Sequence, residues 1–244
     1  MQATGVICAV LDCDADSIEA FNRWYDLEHV PPNVSLAGVM LGHRYAAPPD
    51  LHALRVTDPS SPLAGGRGTF VTIYTLCQPP LDVVASMAEL REVLYATDRM
   101  SFPAEKKVVR DGGALELVSA VSSPDLALPA IDVPFVGHNG ILMVRRRSTD
   151  EVASWYHQDW STAVAGLEGV HGVMSLSFAG GDGDQLDLVF LEGDVAERTN
   201  AIRNRVPHHP EATVVVDAPF VLIDPLRYPW IEAIAHSDLP KTIG

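Results

Sequence analysis

The segment FNRWYDLEHVPP, residues 21 to 32, gathers the side chains best suited to chemistry in this chain. On a helix turning about 100° per residue, Ile18, Phe21, Tyr25 and His29 fall on one stripe. His29 is therefore expected to face inward, with Tyr25 one turn away and able to touch it. Glu28 flanks the stripe and, being consecutive with His29, does not face it, so a direct Glu-His dyad is not expected; Arg23 and Asp26 point toward solvent. An imidazole near its ordinary pKa of about 6.5 exchanges a proton at neutral pH, which makes His29 the candidate general acid/base. The plainer alternative is a histidine satisfied at a helix C-terminus, where its cation suits the dipole.

The following stretch, VMLGHRY, places Val39, Leu41, His43 and Tyr45 on one face of a strand and Met40, Gly42 and Arg44 on the other. With the more apolar face against the helices, His43 shares the helix-sheet space with His29. Two histidines and two phenols in a mostly apolar cavity suit acid-base chemistry on an aromatic or polyketide-like small molecule. His29, Tyr25, Glu28 as an alternative base, and His43 as a polarising group are the candidate catalytic residues. Phe21, Trp24, Leu41 and Tyr45 are the candidate substrate-binding wall.

The elements that must hold these residues occur twice. WYDLEHVPPNVSLAG (24 to 38) aligns without gaps on WYHQDWSTAVAGLEG (155 to 169), and the surrounding patterns read strand, helix, strand, strand, helix, strand in both copies. Each βαββαβ unit implies an antiparallel ferredoxin-like sheet with both helices on one face. The fold class is thus α+β, with the two sheets burying their open faces as an intramolecular α+β barrel. The expected divisions are an N-terminal repeat over 1–121 carrying the active cleft, a Pro-rich linker over 122–139, a C-terminal repeat over 140–224 and a tail over 225–244. In the second copy Trp160 stands where His29 stands and Tyr156 where Tyr25 stands, so only the first copy is expected to keep a working cleft.

With Trp24, Tyr25, Glu28, His29, Pro31, Gly38, Arg44 and Tyr45 in place, the sequence resembles the dimeric α+β barrel superfamily, and within it the EthD-like group. The resemblance covers about 40 residues of the first copy and implies the barrel fold. It also implies a small-molecule enzyme: a cofactor-independent lyase, dehydratase, isomerase or cyclase, with a haem enzyme, a cofactor-free monooxygenase and a non-catalytic ligand-binding module as alternatives. No cofactor is expected, haem being the alternative. The internal duplication implies a monomer, or a homodimer of the pseudo-dimer.

Composition narrows the partners. Seventeen Lys and Arg against 32 Asp and Glu give a net charge of −15, which repels nucleic acid and anionic membranes. The N-terminal MQATGVICAVLDCDAD lacks a basic region before its apolar run, so a cytoplasmic location is expected. Cys8, Cys13 and Cys77 have no metal-ligand spacing and read as structural thiols, and no metal site is expected. The His208-His209-Pro210 run reads as a turn, and GGRG (65 to 68) and GGDGD (180 to 184) precede strands, so they read as loops rather than phosphate cradles.

Overall fold

The computed structural model describes residues 2–181 and 184–239; positions 182 and 183 of the GGDGD turn and 240–244 of the tail lie outside the described residues. The first half runs β1 (Gly5–Cys13), α1 (Ile18–Trp24), a π-helical turn (Tyr25–His29), α2 (Val30–Val34), β2 (Val39–Ala46), α3 (Pro49–Ala53), β3 (Val56–Thr57), β4 (Phe70–Leu76), α4 (Pro80–Ala96) and β5 (Lys107–Ser122). The second runs β6 (Gly140–Arg147), α5 (Asp150–Trp155), a π-helical turn (Tyr156–Trp160), α6 (Ser161–Ala165), β7 (Val170–Phe178), β8 (Gln185–Leu191), α7 (Val195–Arg205) and β9 (Thr213–Leu222), followed by α8 (Ile231–Ala235) in the tail. None of the described helices is long and apolar enough to cross a membrane.

The strands form one antiparallel sheet in the order β2-β4-β1-β5-β7-β8-β6-β9-β3, and β2 also pairs with β9, which closes it into a barrel. The halves are therefore joined edge to edge, and their inner faces meet across the barrel, where Cys8 and Val10 approach Met143, Leu186 and Val216. The two seams differ. β5 and β7 are paired from Leu115↔Phe178 to Ser122↔Gly172. β2 meets β9 only at Tyr45↔Leu222 and Ala46↔Val221, with β3 adding Val56↔Asp217 and Thr57↔Val216 further along the same edge. β3 and α3 went unread in the sequence because so short a strand and so short a helix carry no periodicity.

Helices cover the outer face of the sheet. Over the first half, Phe21, Trp24 and Tyr25 join Leu11, Cys13, Phe70 and Phe102 in one aromatic cluster, completed by Ile223, Trp230 and Ile234 from beyond the last strand. Burying each such side chain contributes about 1.5–3 kcal/mol. Cys8 and Cys13 are buried, and burial pushes the Cys8 thiol up to about 12, which leaves it an unreactive packing group.

Candidate active site

Residues 25 to 29 do not continue the α-helix. The Val30 amide donates to the carbonyl of Tyr25, five residues back, so one extra residue is accommodated in the turn. In a regular helix Trp24 and His29 would project well apart; here their rings lie 4.8 Å apart, with Tyr25 also 4.6 Å from His29. The side chain of Asn33 donates to the His29 carbonyl at 2.7 Å and ties the turn to α2. Gly38, at φ +93°, then turns the chain into β2, a conformation a side chain would strain.

His29 lines a cleft of about 290 Å³ between this turn and α4. The sheet contributes Ile7, Ala9 and Tyr74, α4 contributes Val84, Met87, Ala88, Arg91 and Leu94, and Asn33 and Met100 close the sides. Burial lowers the His29 pKa to about 4, helped by the nearby Lys107 and Arg44 cations, so the ring is neutral at pH 7. It is then a proton acceptor rather than the acid/base near 6.5 expected from sequence. Its Nδ1 is buried with no partner among the described residues. The Tyr74 hydroxyl, on the floor of the cleft, is likewise buried and unpartnered; Asn33 lies near it without hydrogen-bonding geometry, and burial raises its pKa, keeping it a neutral donor. An unpaired buried polar group costs about 1–3 kcal/mol, and this layer holds two in one cleft.

The other sequence candidates are placed elsewhere. Tyr25 is buried beneath Arg44, whose guanidinium sits 4.4 Å from its ring centre. Asp26, expected in solvent, has a side chain only 4% exposed. It accepts from Arg44 at 2.7 Å, from the Leu226 amide at 2.8 Å and from the Tyr228 hydroxyl at 2.6 Å. The π turn and the tail together bring it inside, which the straight helical wheel missed. Glu28 points away from the cleft and accepts from the Ser101 hydroxyl at 2.7 Å.

His43 does not share the space of His29. The face of β2 carrying Arg44 and Gly42 meets the helices: Arg44 bonds Asn22 and Asp26, and a side chain at position 42 would strike Val34 and Tyr74. Apolarity alone does not identify the face that meets the helices, because an arginine whose two terminal nitrogens are bonded by Asn22 and Asp26 packs there as well as a leucine. His43 and Tyr45 point instead toward the barrel interior, where His138 of the linker lies 5.0 Å from the His43 ring and its Nε2 is 2.9 Å from the Tyr45 hydroxyl. Leu41 shares that face. Phe21 is fully buried in the aromatic cluster and Trp24 borders a separate surface groove with Ser17, Leu27 and Lys106, so neither lines the cleft.

The matching layer of the second half is filled. Its helix carries the same π turn, 131 residues on, and Trp160 is 1% exposed where His29 borders an opening. Tyr156 lies under the Arg146 guanidinium at 3.9 Å, and Arg146 pairs with Asp187 at 3.1 Å with both side chains wholly buried. The Tyr156 hydroxyl is 3.2 Å from His208 Nδ1, and His208 Nε2 is 3.0 Å from Asp217, which Arg203 also holds at 2.6 Å. The histidine pair read as a turn thus links this network. His157, on the same turn, is half-buried. Among the described residues no group of three or more His, Cys, Asp or Glu is arranged to hold a metal ion.

No protein-family model matches this chain, and no curated protein matches it. Among solved structures it is similar to a candidate chlorite dismutase, with a TM-score of 0.54 and 10% identity over 92% of this chain and 96% of that one. It is also similar to a candidate monooxygenase from Fusobacterium nucleatum, with a TM-score of 0.53 and 8% identity over 90% and 94%. A haem-binding protein from Thermus thermophilus overlaps with a TM-score of 0.44 and 11% identity over 96% and 94%. At such identities the first two likenesses establish the fold alone: a mixed α+β protein with a large antiparallel sheet, of the dimeric α+β barrel type.

Proposed function

We propose that the chain is a small-molecule enzyme of the EthD-like type, working by acid-base chemistry without a cofactor on an aromatic or polyketide-like substrate, as a lyase, dehydratase, isomerase or cyclase. We read residues 1–121 and 140–224 as two ferredoxin-like repeats, the second standing in for a partner subunit and the first holding the working cleft. The observation that carries the reading is the pairing of a neutral, half-buried imidazole with an unpartnered phenol across an apolar cleft.

His29 removes a proton from an acidic C–H or O–H of the bound molecule. Its low pKa rises once a substrate anion forms beside the imidazolium, since opposite charges favour each other's charged forms. The Tyr74 hydroxyl, held neutral, donates to the oxygen that gains charge, and the apolar walls exclude water that would weaken that bond. Tyr25 and Asp26 hold the π turn from behind through Arg44, and so orient His29 without touching substrate. Turnover is measured over a panel of hydroxylated aromatic and polyketide-like compounds for the parent, His29→Ala and Tyr74→Phe. His29→Ala is expected to abolish turnover with an almost unchanged melting temperature; activity retained in both variants sinks the reading. Oxygen uptake in the same assay separates proton transfer from oxygenation.

A haem enzyme is the second reading, favoured by one observation: a neutral imidazole with a free nitrogen is the ligating form of histidine. His29 would hold the iron and Met87, Leu94 and Met100 would form the apolar wall, so the ligand chemistry fits. The cleft volume of about 290 Å³ falls at the small end of ligand sites, below what a buried macrocycle occupies, and the acid-base reading therefore leads. A Soret band after adding haemin to the purified protein, lost in His29→Ala, reverses that order.

A further inference from the structure

The side of the cleft formed by α4 has a composition that ordinary packing does not explain. Val84, Met87, Ala88, Arg91 and Leu94 all line the cleft, and their spacing makes them one helical stripe. Four of the five are apolar, and the fifth is an arginine. Helix positions three and four residues from Arg91 are Met87, Ala88, Leu94 and Tyr95, none of them acidic, so no ion pair within the stripe accounts for it. Among the described residues its one ion pair is with the adjacent Glu92 at 3.3 Å, with side chains 58% and 72% exposed, an arrangement that contributes little to stability.

The rest of the lining sharpens the point. The chain carries 32 acidic residues, yet none of the eleven residues lining this cleft is acidic, and with His29 neutral the lining has one formal charge, positive. The Tyr74 hydroxyl and the His29 imidazole nitrogen, without partners among the described residues, belong to residues that line the same cleft as Arg91, and most of the remaining lining is apolar. A guanidinium forms forked, charge-assisted bonds to planar acids.

We propose that the cleft selects a small apolar molecule carrying one acidic group, such as a carboxylate, and that Arg91 reads that group while the opposite end of the molecule meets His29 and Tyr74. The inference rests on the cleft being the working site, and it adds a substrate class and a specificity-determining residue.

The test compares binding of 2-naphthoate with that of its uncharged amide, 2-naphthamide, by calorimetry at low and high salt. The parent is expected to prefer the acid by about tenfold, one charge-assisted contact at a partly exposed site, with the preference shrinking in salt. Arg91→Gln is expected to remove the preference while binding the amide as before, and Arg91→Lys to restore part of it. His29→Gln is expected to keep the preference, so that a failure of the catalytic reading, in which His29 proves dispensable for turnover, is seen separately from a failure of this one. Equal binding of acid and amide by the parent, an unchanged preference in Arg91→Gln, or no binding of either compound overturns the proposal.

Discussion

At Tyr25 the helix of the first half bends through a π turn with an arginine 4.4 Å from the phenol ring, and at Tyr156, 131 residues later, it does so again with an arginine at 3.9 Å. The arginines come from different places, Arg44 from the second strand of its half and Arg146 from the first of its own. What lies beyond the shared turn differs. In the second half Trp160 fills the space and the Tyr156 hydroxyl meets both His208 and the His209 amide. In the first, His29 replaces the tryptophan, a cleft remains, and both His29 Nδ1 and the Tyr74 hydroxyl stay unmet. One backbone plan thus serves a layer closed by a buried tryptophan and a layer that leaves a cleft beside a histidine.

The largest effects that could break this contrast lie in the packed half. Trp160→Ala is expected to cost about 3–5 kcal/mol in denaturant unfolding, the cavity penalty of a buried aromatic, against less than about 1 kcal/mol for His29→Ala at the edge of an existing opening. Similar losses from the two substitutions would mean that both layers are equally filled. Asp187→Ala strands a wholly buried guanidinium and is expected to cost about 3–5 kcal/mol throughout the molecule. Asp26→Ala releases Arg44 but also the tail, and hydrogen exchange is expected to rise selectively around Leu226 to Ile234.

Acid should act first on the open half. The imidazoles of His29 and His43 are held down to about 4, and that of His52 to about 3, each chiefly by burial. Between about pH 6.5 and 4 the unfolded chain therefore binds protons that the folded chain refuses. The stabilisation is complete above pH 6.5 and is lost as the pH falls toward 4. Denaturant midpoints at pH 7 and pH 5 should show this loss, and His43→Phe should reduce it; a pH-independent midpoint would contradict the burial of these rings. The smallest expected effect is the most discriminating. Tyr74→Phe removes an unpaired hydroxyl and should stabilise the ligand-free protein by up to about 1 kcal/mol, whereas Tyr156→Phe strips partners from His208 and the His209 amide and should destabilise it by about 1 kcal/mol.

Much of the architecture is legible because strand and helix periodicities are strong in this chain: VMLGHRY reads as a strand, and β2 runs over Val39–Ala46. Which face of that strand met the helices was not legible, since Arg44 is packed by Asn22, Asp26 and Tyr25, partners brought together only by the fold. The π turn was hidden for a different reason: one inserted residue leaves the composition unchanged and only alters which side chains meet. His29 was found from its type and position. Tyr74 was missed although TFVTIYTL alternates in a way that puts Phe70, Thr72, Tyr74 and Leu76 on one face. Arg91 is also readable, as the odd member of an apolar helical stripe, but one charge on a long helix is usually a solvated one and carries little signal by itself.

The docking of Trp230 and Ile234 beside Phe21, Trp24 and Phe70 bears on how the protein is made. A ribosome delivers the first half well before it delivers β9, Ile223 and Trp230, which complete that half's outer core and its closing seam. The half with the candidate cleft must therefore wait with apolar surface uncovered until synthesis has passed through the other. Truncations before residue 223 should leave the first half aggregation-prone even though all the residues of its own strands are present, and the growing chain is most in need of a chaperone during that interval.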